Sequence, residues 1–320
     1  MRKPVTTTLL GLTCFLLGVA VARYYDLRQL PKSPSAAAAQ TTDTTARLAG
    51  GTTIDFASEP LWAYGFDRPP APGEKAQPQA NPTHAVRANE DSAAQTRPRH
   101  LPGSNAAYSL VEIRDLQNVI DWFPNDHPPM TDVIAHGPAR MGDARRGCGS
   151  CHLPNGKGRP ENASVAGLPV AYFLRQLRDF RDGKRHSADP RKPNTNTMIA
   201  LAKNLTNDEA EQAANYFASM SWAPWIRVVE TNLVPRTRID GNLFLPIERE
   251  KTQPIAGRII EVPEDVEQAE LNRNPRSGFI AYVPVGSLET GEALVLRGGV
   301  KAADDTSSSH KTTPCITCHG

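Results

Sequence analysis

Two short motifs constrain this chain more than any other feature. Cys148-Gly-Ser-Cys151-His152 and Cys315-Ile-Thr-Cys318-His319 repeat one spacing, C-x-x-C-H. Two thiols three residues apart can form thioethers to the two vinyl groups on one side of a porphyrin. The adjacent imidazole then swings beneath the plane to bind iron, so the spacing is that of c-type haem attachment. With five Cys and eight His in 320 residues, repetition by chance is negligible. Zinc knuckles also use C-x-x-C, but Cys151 and Cys315 lie far apart in the sequence and neither site has a nearby second pair. A thioredoxin-like redox pair would need a βαβ setting, which the pattern around these motifs lacks. The motifs predict haem c on Cys148 and Cys151 with His152 on its iron, and haem c on Cys315 and Cys318 with His319 on its iron.

A haem held by His152 needs either a sixth ligand or an open distal face. Of the five Met, Met1 opens the chain, Met130 and Met141 precede the motif, and Met220 falls at the end of a helical pattern. Met198 remains. It sits in Asn194-Thr-Asn-Thr-Met, between two helical patterns, where the sequence predicts a loop draped over the opposite haem face. Met/His ligation saturates the iron and raises its potential, which suits a carrier of single electrons. His186 is the competing ligand, although its place after Arg185 reads as solvent-facing. Asp126-His-Pro-Pro-Met130 reads as a proline-rich turn, with His127 or Met130 capping a haem as the other reading.

The N-terminus speaks to compartment. Arg2 and Lys3 precede an uncharged apolar run from Val5 to Ala22, followed by Tyr24 and Tyr25. The run reaches the lower length limit of a membrane span, and Ala20-Val21-Ala22 is also a site that a signal peptidase could cut. Anchor and cleaved signal are both open, and each puts the bulk of the chain on the periplasmic side of a bacterial cytoplasmic membrane. Cys14 lies within this run as an apolar residue.

The length fits about two domains. Lys and Arg number 36 against 34 Asp and Glu, a net charge of +2, which removes the basic excess expected of a nucleic-acid binder. Residues 1–30 read as signal or anchor and 31–105 as a disordered Ala/Pro-rich tether containing one aromatic cluster, Leu61 to Phe66. In 106–139 a short docking helix starts at Ser109, with capping-box spacing to Glu112, and carries Ile113, Leu116 and Ile120 before Pro124. Residues 140–222 hold two further helices. One follows Pro169, turns Phe173, Leu177 and Phe180 to one side and ends at Gly183; the other starts at Thr206, again with capping-box spacing. Across 223–286, short β-branched pieces at 226–229, 258–262 and 279–283 read as strands or extended segments. Residues 287–320 begin with a helix from Ser287 to Leu296 and end in the second motif.

Residues 140–222 resemble a class I cytochrome c domain. C-x-x-C-H lies on an early helix, then come a Pro-containing loop, the helix in Gly167-Leu-Pro-Val-Ala-Tyr-Phe-Leu-Arg-Gln-Leu, a Met segment and a closing helix ending Ala-Asn-Tyr-Phe-Ala-Ser. The arrangement is similar to two-haem cytochromes of the c4 and c553 type. That resemblance implies a mainly α fold, with a disordered N-terminal tether and a short β-rich connecting segment. It makes residues 287–320 the start of a second haem domain, incomplete at Gly320, and makes Pro160 the loop proline whose carbonyl orients His152. It implies one-electron transfer between redox partner proteins, a dehydrogenase donor and a cytochrome or oxidase acceptor, with the membrane met through the N-terminal segment. A cytochrome subunit or haem-dependent oxidoreductase with an open distal site is the alternative function, and a non-haem zinc-binding exported protein is the third.

Overall fold

The structure is a computed structural model, and it describes residues 45–47, 53–55, 90–187, 192–240, 242–298 and 313–319. The apolar run at 5–22, the aromatic cluster at 61–66 and most of the expected tether lie outside these residues. Among the described residues no helix is long and apolar enough to cross a membrane. The chain divides into two units, 1–58 and 59–320. In the first, β1 (Thr45–Arg47) pairs antiparallel with β2 (Thr53–Asp55).

The second unit opens with α1 (Ser92–Thr96), whose Asp91 cap accepts from the Ala93 amide, followed by β3 (Arg99–His100), β4 (Ala107–Tyr108) and α2 (Leu110–Ile113). Residues 90–105 therefore carry regular structure, although composition assigned them to the tether. The reason is apolar burial: Leu101 is packed with Leu110, Ile113, Trp122 and Phe123. The Ser109 capping box forms, with the Ser109 and Glu112 side chains satisfying each other's backbone N–H. The helix is nevertheless shorter than the spacing of Ile113, Leu116 and Ile120 suggests. The Asp115 carboxylate accepts from the Gln117 amide and from Asn118 Nδ2, a turn that competes with helical continuation.

Four helices build the next segment: α3 (Asp132–Ala135), α4 (Cys148–His152), α5 (Val170–Arg181) and, after it, α6 (Pro193–Asn204). A fifth, α7 (Asn207–Ala218), closes it. Pro169 stands at the N-cap of α5 and Gly183, at φ 73°, follows its end, as the sequence predicts. Pro193 sits in the first turn of α6, where a missing N–H costs nothing. Thr206 and Glu209 form the second capping box. Val133, Ile134, Val165, Ala213, Tyr216 and Phe217 make the core of this segment, with Phe173 and Leu205 packed against it.

Beyond α7 the chain turns to strands: β5 (Ile226–Glu230), β6 (Leu233–Asp240), β7 (Leu243–Pro254), β8 (Ile260–Pro263) and β9 (Phe279–Val283). Central β9 runs parallel to β5 and antiparallel to β8, and buries Phe279, Ala281 and Val283 in the alternation of a half-covered strand. A separate hairpin, β6 with β7, packs Val234 against Ile260 and Val262, and Leu243 and Leu245 against Phe279. The segment therefore holds more strand than the sequence reading assigned. Between β8 and β9 a π-helical turn, Glu267–Leu271, leads into Asn272 and Arg273. Helix α8 (Ser287–Arg297) and the single turn α9 (Ile316–His319) complete the described chain.

Candidate functional site

Helix α4 is set against α3 by a glycine. The Gly147 amide donates to Leu116 O at 2.8 Å, and a Cβ at this position would overlap the Ile134 and Ala135 carbonyls and the Val119 side chain. This contact fixes where Cys148 begins. The helix lasts one turn and stops at Leu153, a buried residue at φ 62°, so the chain folds back beneath His152. Left-handed backbone at a leucine is strained, and it is retained where the surrounding structure requires it.

His152 Nδ1 lies 2.7 Å from the carbonyl of Ala163. That carbonyl accepts the Nδ1 proton, which leaves the Nε2 lone pair free for a metal and fixes the ring plane. The residue that orients His152 is thus Ala163, and the expectation that Pro160 does so is corrected. Any residue offers a backbone carbonyl, so loop geometry decides which one arrives: Gly158 N donates to His152 O at 2.8 Å, and Arg159 and Asn162 exchange backbone bonds in a tight turn that brings Ala163 under the ring. Burial holds His152 below the usual histidine range, outweighing the opposing backbone contact, so the neutral, ligand-competent imidazole is favoured.

Cys148, Cys151, His152 and Met198 line one apolar pocket, whose other walls include Phe173, Leu177, Leu201, Leu205 and Phe217. Phe173 stacks on Phe217 at 5.9 Å between centroids, and His152 meets the Phe217 ring edge-on at 6.1 Å. Burial, then the neighbouring Cys151 thiol, pushes the Cys148 thiol up to about 12. The enclosed space is about 40 Å³ and shares Leu177 and Leu205 with a cleft of about 350 Å³ between α5 and α7, whose lining includes Arg178 and Arg181. The donors fit haem c: two thiols spaced for thioethers, one oriented imidazole, one thioether sulfur and an apolar lining.

Met198 lies on α6, so the expected draped loop is helical; Pro193 starts the helix and Leu201 and Ala202 bury its far half. His186 is exposed and bonds the Ser187 carbonyl. His127 belongs to a different arrangement. Its Nε2 is 3.2 Å from Asp121 Oδ1, and its Nδ1 is 2.8 Å from Pro128 O and 3.0 Å from the Tyr216 hydroxyl. Met130 packs against the helical core. In the second motif Cys315 and Cys318 are exposed, at the start and within the turn of α9. Sequence reasoning missed Ala163 and the four charged side chains Arg159, Glu161, Glu270 and Arg273; the last two come from a segment with no periodic signal.

Residues 134–221 match the family model for cytochrome c. Cytochrome c4 from Pseudomonas aeruginosa is 32% identical over 105 residues, covering 32% of this chain and 47% of that protein. The chain thus spans about half the length of that curated relative. Among solved structures, reduced recombinant cytochrome c4 from Pseudomonas stutzeri is 30% identical over 24% of this chain and 39% of its own, with a TM-score of 0.21. Thiosulfate dehydrogenase TsdBA from Marichromatium purpuratum, in its as-isolated form, is 28% identical over 29% of this chain and 19% of its own, with a TM-score of 0.23.

Proposed function

We propose, from the premise that residues 134–221 are a cytochrome c domain, that this protein is an extracytoplasmic carrier of single electrons. The observation that carries the reading is the convergence of Cys148, Cys151, His152 and Met198 on one apolar pocket. Bound haem supplies one-electron cycling between ferric and ferrous iron. Cys148 and Cys151 would hold it covalently, and His152 would offer Nε2 while its Nδ1–H donates to the Ala163 carbonyl. Met198, in the lining of the same pocket, would offer its sulfur as the second axial donor. Phe173, Leu177, Leu205 and Phe217 exclude water, which favours the less charged reduced state. Cys315 and Cys318, with His319, form a second attachment site. The N-terminal segment exports the chain to the periplasmic side and serves as its anchor or cleaved signal. The partners are a dehydrogenase that donates and a cytochrome or oxidase that accepts.

In cells with a c-type maturation system, the full chain carrying Cys315→Ala and Cys318→Ala should retain one covalent haem. Adding Cys148→Ala and Cys151→Ala should remove it, as read by haem staining and intact mass. Covalent haem persisting in the quadruple variant would overturn the attachment site. Met198→Ala should keep the haem but lose the near-infrared sulfur-to-iron band; an unchanged spectrum in Met198→Ala with an altered one in His186→Ala would reassign the distal ligand.

A further inference from the structure

A group of buried and half-buried charges lies beside α4, outside the lining of the pocket. Arg159 and Glu161 are each 4% exposed at the side chain, with Arg159 Nε 3.1 Å from Glu161 Oε1. Arg159 also pairs with Glu270, from the π-helical turn between β8 and β9. Arg273 reaches from the same segment to donate to the carbonyl of Ser150, which lies between the two cysteines of the motif. To do so it holds its backbone at φ 46°, a conformation costly for any residue but glycine. Both arginines are close enough to Cys151 for charge interaction. Glu161 Oε2 is buried without a hydrogen-bond partner, and Arg159 Nε, though ion-paired with Glu161 Oε1, makes no well-aligned hydrogen bond. Ion pairs this deep are weak contributors to stability, because desolvation offsets their attraction. Their retention beside α4, with strain and unsatisfied atoms, calls for another role.

We infer that Arg159, Glu161, Glu270 and Arg273 set the reduction potential of the haem carried by Cys148 and Cys151, as a charge-balanced field, buried at Arg159 and Glu161 and half-buried at Glu270 and Arg273, that residues 264–278 complete by docking on α4. This rests on the haem site proposed above. The physical reason is simple. Uptake of one electron from a partner makes the site one unit more negative, and charges in a low-dielectric surrounding respond strongly to that change. Two cations and two anions cancel. Removing an arginine leaves a net negative charge and opposes reduction, whereas neutralising a glutamate leaves a net positive charge and favours it. These are positioning residues of the field and touch no donor of the pocket except through the Ser150 carbonyl.

The test uses the full chain with Cys315→Ala and Cys318→Ala, so that one haem titrates. Covalent haem is first counted in each variant; its absence from the parent would sink the haem site itself and is distinct from a failure of this inference. Redox titration at pH 8 should then show Arg273→Met with a lower potential, by at least tenfold in the reduction equilibrium constant, about 59 mV for one electron. Arg273→Lys, which keeps the charge, should stay within threefold of the parent. Glu161→Gln and Glu270→Gln should both move the potential upward. A purely structural role predicts the opposite for the Gln variants, because loosened packing admits water and lowers the potential. Shifts of one sign in the Met and Gln variants, or no shift beyond threefold in any, would overturn the inference. If Arg273→Met does not fold, the sign of the two Gln variants decides alone.

Discussion

At Gly147 the fold leaves no room for a side chain, because the Cβ of any other residue would meet two carbonyls of α3. Gly147→Ala should therefore cost about 1–3 kcal/mol by overpacking, read as a lowered urea midpoint. Gly291 provides the control: it lies inside α8, a Cβ there meets nothing within 4 Å, and Gly291→Ala should stabilise by up to about 1 kcal/mol. His127 carries a pH dependence. Burial alone would lower its pKa, but the hydrogen bond to Asp121, the Pro128 carbonyl and the charges of Asp121 and Asp126 outweigh burial and raise it. A raised folded value means that this stabilisation is full below the usual histidine range near 6.5 and is lost as pH rises through the folded value. Thermal melts from pH 5 to 9 should show that decline, and His127→Gln should flatten it; an unchanged slope would remove His127 as its source. The pocket residues Cys148, Cys151 and His152 stand out in the sequence because the proposed chemistry demands fixed types at fixed spacing. Ala163 was not, because a carbonyl acceptor leaves no mark on residue type.

Local signals served helices better than strands. Both capping boxes, Ser109 with Glu112 and Thr206 with Glu209, were readable because a side chain meets a backbone amide three residues away. Thr206→Ala should cost α7 about 1 kcal/mol, seen as a fall of about 2–4 °C in the midpoint of thermal unfolding. Glu209 also accepts from the Ala139 amide at 2.8 Å, so Glu209→Ala should cost more than Thr206→Ala; equal costs would mean that this second contact contributes nothing. The β6–β7 hairpin went unread. Pro235 and Pro246 and the charged stretch at 248–251 mask its alternation, and a bulge between Pro235 and Thr237 shifts the register. Its one local signal was Asp240-Gly-Asn242, with Asn242 at φ 67°, a composition suited to a tight hairpin turn. Elimination among the five Met singles out Met198, which does line the pocket, but not its helix, because Asn and Thr are weak helix formers and packing of Leu201 and Ala202 overrides them.

Across the molecule, polar contacts tie segments that the sequence separates into distinct stretches. Trp122 Nε1 donates to Asn272 O at 2.7 Å, Arg276 grips Asp126 through two nitrogens at 2.6 and 2.7 Å while lying over the Phe123 ring, and Lys157 Nζ donates to Ser277 O at 2.6 Å. One stretch, 264–278, therefore holds both the Trp122 cluster and the loop after α4. Residues 90–298 should unfold in one transition, with coincident far- and near-ultraviolet circular dichroism; two resolved transitions would show that these contacts do not couple the segments. No pattern in 264–278 announces such a role, since its half-buried charges gain meaning only from partners far away in sequence.

The reach of Arg273 to Ser150 also has a meaning in time. The two residues are 123 positions apart, and the cover over α4 is made by the later one. Closing so long a loop carries an entropy cost that the one-turn helix α4 does not, so the turn can form before the segment that covers it is in place.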